Sequence, residues 1–421
     1  MLGNPTLPRL AAVVFCLLLN ACADNTPPTE AIWLADDTDY IKDLAITADG
    51  TQLAITESGP ELRNSDGLRL ADPDLDSLTP QLVVGNDNEF LAFGVDDQTV
   101  WLARLTNTGS LSYLQQIYTA SDMQSSLMLT QFDNETVVHW VDAGSPAWYS
   151  IPLASSFHYP LANAEHRYSF GPGYRFYYVD NSSQQMVTVD MSTLAETGRS
   201  PVDSDFLGTG KLAVNERYAV ATVATELHEG TDLTLQNRTD GSVLKVASDG
   251  GFGKHFQGLL GQDQAGTIYY YYYAEFAYQE FGKGMHIRAI STTEPLAWEQ
   301  QVRGGPPLAE RVYYKSLSSG IQLMYVDQTN PYSWEYVESH NRTRFVQLNG
   351  AGSVQDQFHM TAHILGKATA PSAWPIERLL QEGYLGEAFA TNTAGQVMIY
   401  GRTGPGLYSV PGNTPFAARM R

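Results

Sequence analysis

Residues 43–58 read DLAITADGTQLAITES. The stretch contains a turn at Asp49-Gly50, followed by an apolar run that continues to Thr56. A glycine suits a tight hairpin that needs a positive φ, and the residues after it suit a strand buried on both faces. The stretch therefore predicts a β-hairpin whose strand is covered on both sides.

The same element, a Gly or Asn turn residue before an apolar or aromatic run, recurs along the whole chain. Successive copies are 38 to 75 residues apart. The turn residues are Gly50, Asn88, Asn134, Gly173, Asn215, Gly266, Gly320 and Gly395. A second extended segment follows most copies, and repeats of about 40–50 residues with four strands are typical of β-propeller blades. We therefore predict an all-β chain that forms a seven- or eight-bladed β-propeller of four-stranded antiparallel blades.

Two details of the ring stay open. The last interval, from Gly320 to Gly395, has room for an additional blade or an insertion, so seven and eight blades both fit. A propeller closes by pairing a strand from one end of the chain with a blade from the other end. AIWLA from Ala31 or GLYSVP from Gly406 could supply that strand.

The first copy of the repeat is similar to the blades of TolB-like propellers, which carry a Ser-Pro-Asp-Gly turn before an apolar strand. Asp49-Gly50 match that turn, whereas Thr47-Ala48 replace the Ser-Pro. The resemblance, to TolB-like or WD-repeat-like domains, implies a propeller architecture.

The N-terminal residues have the features of a targeting segment. Arg9 precedes the apolar run LAAVVFCLLL, which is too short to span a bilayer as a helix and is typical of a signal peptide. The following LNAC, Leu19 to Cys22, resembles the lipobox of bacterial lipoproteins, which implies cleavage before Cys22 and lipidation, including palmitate, of its thiol and amine. An ordinary secreted protein, cleaved after Ala21 or Ala23, is the alternative.

These features predict four segments. They are a lipoprotein signal peptide (residues 1–21), a lipidated Cys22 with a polar tether (22–30), the β-propeller (31–415) and a C-terminal tail (416–421). By the lipoprotein resemblance, Ala23 after the cysteine implies the outer membrane, with the propeller facing the periplasm or the cell surface. Cys16 and Cys22 are the two cysteines, so the mature chain keeps one and has no intramolecular disulfide.

The charge excludes some partners. The formal net charge of −21 repels nucleic acid and anionic lipid surfaces. No segment after residue 30 is apolar enough to cross a membrane. We expect a monomeric propeller that contacts the membrane through its lipid anchor only and that binds an envelope protein or a glycan.

Three long connections in consecutive repeats are the candidate binding surface. They run from Ala224 to Asp232, from Ala274 to Gly284 and from Asp327 to Trp334, each after the predicted second strand of a blade. Their candidate binding residues are Glu226, His228, Phe276, Tyr278, Phe281, Tyr332 and Trp334. Aromatic groups with a polar surround are typical of recognition surfaces, although such rings can also pack over the blade tops.

Catalytic motifs are missing from the sequence. It has no G-x-S-x-G elbow, no phosphate-binding loop and no G-x-G-x-x-G between a strand and a helix. No cofactor and no metal site is predicted, since Glu226, His228 and Glu229 are ordinary residues for a solvated acidic loop. We therefore favour a binding or scaffold module over an enzyme. The alternative is a glycan or lactone hydrolase or lyase with its active site in the central channel.

The tyrosine run GTIYYYYYAEFAYQEFGKG, residues 266–284, divides into two parts. By alignment with the other repeats, Tyr269 to Tyr273 form an inner strand whose alternating rings pack against both neighbouring blades. The aromatic residues after Ala274 belong to the longest of the three connections. The first part is predicted to be core and the second part a candidate site.

Overall fold

The computed structural model describes residues 31–34, 41–70, 72–73, 75, 78–132, 135–161, 167–208, 210–224, 231–246, 255–274, 285–302, 312–327, 342–360, 382–392, 394–405 and 414–419. These residues form eight antiparallel sheets, seven with four strands and one with three. We call the sheets blades 1 to 8. The predicted all-β propeller of four-stranded antiparallel blades is confirmed.

The first four blades hold the strands β2 (Ile41–Ile46), β3 (Gln52–Thr56) and β4 (Pro60–Arg63); β5 (Pro80–Gly85), β6 (Glu89–Asp96), β7 (Thr99–Thr106) and β8 (Leu111–Thr119); β9 (Met128–Phe132), β10 (Glu135–Asp142), β11 (Ser145–Ser150) and β12 (Ser155–His158); and β13 (Tyr168–Gly171), β14 (Arg175–Asp180), β15 (Gln185–Asp190) and β16 (Glu196–Pro201).

The last four blades hold β17 (Leu212–Val214), β18 (Tyr218–Ala224), β19 (Thr231–Asn237) and β20 (Val243–Val246); β21 (His255–Gln262), β22 (Ile268–Ala274), β23 (Met285–Ile290) and β24 (Trp298–Val302); β25 (Val312–Ser316), β26 (Gly320–Asp327), β27 (Arg342–Asn349) and β28 (Val354–Met360); and β29 (Glu382–Thr391), β30 (Val397–Pro405) and β31 (Thr414–Arg419) with β1 (Ala31–Leu34). A 3₁₀-helix, Ser204–Phe206, precedes β17.

The ring is closed by the two ends of the chain. β1 pairs antiparallel with β31, with Ala31 opposite Arg419 and Leu34 opposite Phe416, and it forms the outermost strand of blade 8. Of the two candidate closing strands, AIWLA is the one that the structure shows in this place. The predicted C-terminal tail is wrong for residues 416–419, because they belong to β31, which lies between β30 and β1 and pairs with both. The alternative closing strand from Gly406 lies outside the described residues.

The repeated turn residues join the first and second strands of the blades. Gly50 (φ +87°) lies between β2 and β3, and Gly266 (φ +83°) lies between β21 and β22. These positive φ values are the ones that favour glycine, so the expected reason is confirmed at these two turns. It is wrong for Asn88 and Asn215, which are not among the residues with a positive φ. The copy at Asn134 falls in the connection between β9 and β10, outside the described residues.

Side chains at these turns link neighbouring blades. The Asn215 side-chain amide of blade 5 donates to the carbonyl of Gly266 in blade 6 at 3.0 Å. The Asn392 amide of blade 8 donates to the carbonyl of Thr47 in blade 1 at 2.6 Å. Each bond is made beside the hairpin turn, at the end of the ring where the innermost strands finish. The turns therefore hold the blades in register around the axis.

The tyrosine run forms β22 in blade 6, which is the second strand from the axis, with β21 innermost. Tyr269 and Tyr271 are buried in a cluster with residues of blade 7 such as Leu323. Tyr270 is buried in a different cluster, with residues of blade 5 such as Leu235. Alternate rings therefore pack against the two neighbouring blades, as predicted, because successive side chains of a strand point to opposite faces. This part of the run is core.

Candidate ligand site in the axial channel

A cavity of about 870 Å³ lies on the axis of the ring. The innermost strand of every blade contributes to its wall, from β2 in blade 1 to β29 in blade 8. We call it the axial cavity. Most of the wall surface is apolar, and the charged residues among the described lining are Asp43, Arg167, Lys211 and Lys315.

Arg167 enters the cavity wall at the start of β13 in blade 4. Its side chain is buried, with 4% of the residue exposed, and its Nε and Nη1 have no hydrogen-bond partner among the described residues. Burial lowers the pKa of this guanidinium, and the carboxylate of Asp205 opposes that shift. A buried donor without a partner is costly, so this arginine is an unusual wall residue.

Gly210 lies between the Thr222 hydroxyl and the Arg167 guanidinium. Gly210 has φ +131°, and a Cβ at this position would lie 2.8 Å from the Thr222 hydroxyl and 3.6 Å from the guanidinium carbon of Arg167. A larger residue would have to displace one of these groups. Glycine therefore leaves room here for the Thr222 hydroxyl, whereas the distance to Arg167 is an ordinary van der Waals contact.

Lys211 follows directly, at the start of β17 in blade 5. Its backbone N–H donates to the Thr222 hydroxyl at 2.9 Å, which fixes the strand, while its ammonium lies 3.5 Å from the carbonyl of Leu259. The surrounding protein displaces water and lowers the pKa of this ammonium. Arg167 and Lys211 belong to adjacent innermost strands, and we call the pair the cationic wall.

His139 adds a neutral group beside the cationic wall. Its Nε2 lies 3.0 Å from the Thr130 hydroxyl, its ring centre is 4.8 Å from that of Phe170, and its Nδ1 has no partner among the described residues. Burial lowers the pKa of His139 to about 4, so the imidazole is uncharged at neutral pH.

Gln262 occupies the far end of the cavity, in β21. Its amide nitrogen donates to the carbonyl of Phe170 at 2.8 Å, and its Oε1 has no partner among the described residues. Within the described lining, the side of the cavity from blade 3 to blade 6 thus has two unpartnered buried donors on Arg167, an imidazole nitrogen and an amide oxygen.

The opposite side carries a charge pair. The Asp43 carboxylate in β2 accepts the backbone N–H of Val83 at 2.8 Å and the Tyr400 hydroxyl at 3.1 Å. Burial raises the pKa of Asp43, while the backbone hydrogen bond from Val83 and the charge of Lys315 act against the rise. Burial lowers the pKa of Lys315, whose ammonium lies 5.4 Å from the ring centre of Phe389. Each charge of this pair therefore offsets the other.

The residues predicted from sequence as a binding surface, Glu226, His228, Phe276, Tyr278, Phe281, Tyr332 and Trp334, lie outside the described residues, as does Cys22. The strands that flank them are described. The three connections join β18 to β19, β22 to β23 and β26 to β27, the second and third strands of blades 5, 6 and 7, as predicted. Because β18, β22 and β26 run antiparallel to the innermost strands, these connections leave from the end of the ring where Arg167 and Lys211 begin their strands.

The residues of the axial cavity were not identified from sequence, because the repeat pattern singled out the second strand of each blade. The missed signal is one charged residue in the short segment before the hairpin turn. It is visible in DLAI (Asp43), RYSF (Arg167), KLAV (Lys211) and YYKS (Lys315). Each lies four to seven residues before the repeated turn residue of its blade.

The described residues contain neither a metal-binding cluster nor a membrane-spanning helix. No group of three or more His, Cys, Asp or Glu side chains there is placed to share a metal ion. Nor does this part of the chain contain a helix with the length and apolar character needed to cross a bilayer.

Comparison with known proteins gives distant structural likeness. No protein-family model matches the chain, and no curated protein matches its sequence. Among solved structures, BamB from Moraxella catarrhalis aligns at a TM-score of 0.38 and 12% identity, over 80% of this chain and 91% of that chain. The WD40 repeats of RRP9 align at a TM-score of 0.41 and 9% identity, over 94% and 99% of the two chains. The dihydro-heme d1 dehydrogenase NirN in complex with DHE aligns at 0.40 and 13% identity, over 76% and 66%.

Proposed function

We propose that this chain is a lipid-anchored propeller of the bacterial cell envelope that binds a partner molecule in its axial cavity. The observation that carries the proposal is the convergence of hydrogen-bonding and charged side chains on a cavity of about 870 Å³ from strands far apart in the chain. Pockets of about 300–1,000 Å³, mostly apolar with a few placed polar groups, are typical of small-molecule sites. The ligand that fits is a small glycan or a short segment of an envelope protein.

The direction of the strands supports an oriented anchor. β1 begins at Ala31, opposite Arg419, which in turn lies opposite Met398 near the start of β30. The tether from Cys22 to Glu30 therefore joins the ring at the end where the innermost strands finish. The three long connections and the cationic wall are at the other end. An outer-membrane anchor on Cys22 would thus leave the end of the ring that carries the cationic wall facing away from the membrane.

The proposed binding site can be tested by a substitution that fills the axial cavity. Ser169, in β13, lines the axial cavity, and within the part of the chain that the structure describes its hydroxyl bonds only to the neighbouring Phe170 carbonyl at 3.2 Å. Calorimetric titration with a panel of envelope oligosaccharides and peptides should give a ligand for the wild-type protein, and Ser169→Trp should lose at least tenfold in affinity. Ser200→Trp, on the outermost strand β16, is the matched control and should bind as the wild type does. Equal binding by both variants would place the ligand elsewhere.

The anchor is tested separately. Labelled palmitate should be incorporated into the wild-type protein and not into Cys22→Ala when both are expressed in the same cells. Release of the Cys22→Ala protein into the soluble envelope fraction is the expected companion result. Incorporation that is unchanged in Cys22→Ala would reject the lipoprotein assignment.

A second candidate is the enzyme foreseen from sequence, a glycan or lactone hydrolase or lyase. The observation that favours it is the pair of Asp43 and Lys315, because a carboxyl with a raised pKa and an amine with a lowered pKa are typical of acid–base catalysis. Turnover of a glycan and lactone panel by the wild type, with its loss in Asp43→Asn, would identify an enzyme. Ligand binding without turnover would leave the protein as a binding module.

A further inference from the structure

We propose that the axial cavity takes an acidic sugar, with its carboxylate against Arg167 and Lys211 and its hydroxyl groups toward His139 and Gln262. This inference rests on the proposed function, since it names the class of ligand for the same cavity. Three features of the wall carry it.

The first feature is charge. The chain has a formal net charge of −21, yet among the described residues that line the axial cavity Asp43 is the one carboxylate, against Arg167, Lys211 and Lys315. Asp43 and Lys315 interact with each other. Asp205 acts on Arg167 from outside the cavity, and one of its oxygens already accepts the Thr234 hydroxyl at 2.8 Å. The cationic wall therefore keeps an excess of positive charge inside an acidic protein.

The second feature is the set of polar atoms without partners. Arg167, His139 and Gln262 are 4%, 7% and 6% exposed, and each has at least one side-chain nitrogen or oxygen without a partner among the described residues. Buried polar groups are normally hydrogen-bonded, so four such atoms on residues that line one cavity point to a ligand that supplies both acceptors and donors. A carboxylate supplies acceptors for the guanidinium, and sugar hydroxyls can serve the imidazole nitrogen and the amide oxygen.

The third feature is an aromatic surface. Tyr168 and Tyr314 both line the cavity. The Tyr314 ring lies against the backbone of Gly261, where a Cβ would be 2.6 Å from its Cε2, and the residue is 38% exposed. An aromatic face that a cavity leaves open suits the apolar face of a sugar ring. A bare inorganic anion would use the charge and leave this surface unused.

The decisive probes are α-1,4-digalacturonate and α-1,4-galactobiose, two disaccharides of the same stereochemistry that differ in their carboxylates. Inorganic phosphate is the third probe. Each is titrated calorimetrically into the wild-type protein, Arg167→Gln, Lys211→Gln and Arg199→Gln. Arg199 is an exposed arginine on the outermost strand β16, paired with Glu196, so its variant removes the same charge away from the cavity.

We expect digalacturonate to bind the wild type about 10-fold to 100-fold more tightly than galactobiose, the range of a charge-assisted hydrogen bond. Arg167→Gln and Lys211→Gln should remove that preference, and Arg199→Gln should keep it. Thermal melting of each variant checks its folding. Lys211, whose side chain is exposed to the cavity, decides the matter if the buried Arg167 variant does not fold.

Three results would overturn the inference. Equal affinities for the two disaccharides, both lost in Ser169→Trp, would reject the acidic sugar and leave the axial cavity as a binding site. Phosphate binding that matches digalacturonate and depends on Arg167 would reassign the wall to a simple oxyanion. Absence of binding by all three probes would reject this ligand class, while the panel with Ser169→Trp tests the cavity independently.

Discussion

The Tyr269 hydroxyl, on the first ring of the tyrosine run, donates a 2.7 Å hydrogen bond to the Asp263 carboxylate in a place that solvent does not reach. The same carboxylate accepts the backbone N–H of Gly320, in blade 7, at 2.8 Å, and that of Thr267 at 2.8 Å. Burial raises the pKa of Tyr269, and the charge of Asp263 raises it further, so the phenol stays a donor. One carboxylate therefore joins the turn of blade 6 to the first residue of β26 in blade 7.

We expect substitutions of Tyr269 and Asp263 to lower the stability of the protein, and the loss at Asp263 to be the larger. Tyr269→Phe removes one donor and should lower the free energy of unfolding by about 1 kcal/mol, whereas Asp263→Ala leaves three buried donors without an acceptor and should cost about 3 kcal/mol. Urea unfolding measures both. Asp240→Ala, at an exposed turn where the carboxylate accepts the Ser242 N–H at 2.9 Å, is the control and should cost less than either. A loss for Asp263→Ala no larger than the control would show that the link does not hold the blades together.

We expect the buried His139 to make the free energy of unfolding depend on pH. Its pKa is lowered by burial to about 4 in the folded protein, against about 6.5 in the unfolded chain. Above pH 6.5 neither state is protonated. As the pH falls from 6.5 toward 4 only the unfolded state binds the proton, so folding loses up to ~3 kcal/mol. His139→Gln should therefore flatten the fall in unfolding free energy over this window, measured by urea unfolding at several pH values. An identical slope in the variant would mean that His139 takes up its proton in the folded state.

We expect Arg167 to favour ligand binding while lowering the stability of the ligand-free protein. A buried guanidinium with unpartnered nitrogens is unfavourable for the fold, and its replacement by an apolar residue of similar length removes that cost. Arg167→Met should therefore keep the unfolding free energy of the ligand-free protein within ~1 kcal/mol or raise it. The measurement is urea unfolding without ligand, beside Arg199→Met. A loss above ~2 kcal/mol in Arg167→Met alone would assign the residue to the structure instead of the site.

At Gly85, blades 1 and 2 are packed too closely to accept a side chain. A Cβ at Gly85, the last residue of β5, would collide with the backbone carbonyl of Ile46 in blade 1, and backbone cannot turn aside as a side chain can. Gly85→Ala should cost about 1–3 kcal/mol of unfolding free energy through this overpacking. Gly198→Ala, on the outer strand β16 with no atom within 4 Å of the added carbon, should change stability by less than ~0.5 kcal/mol. Equal effects would mean that the blades move apart at little cost.

Much of the fold was predictable because its signals are local. The hairpin turn at Gly50 needs a positive φ, and the burial of the β22 tyrosines on alternate sides follows from the period of a strand. The tail was assigned wrongly because TPFAAR is short and has no turn signal of its own. It becomes β31 only through pairing with β30 and β1. Pairing of this kind depends on segments almost 400 residues away.

By itself, the sequence determined the repeated hairpins, the all-β class and the division of the tyrosine run into core and connection. The tertiary structure alone decided which charged side chains meet. Asp43, Arg167, Lys211 and Lys315 lie in four different blades, within or directly before the innermost strand, and they share no motif beyond a position shortly before the hairpin turn. They converge because a propeller turns the innermost strand of every blade toward one axis, and that geometry exists only when the ring is closed.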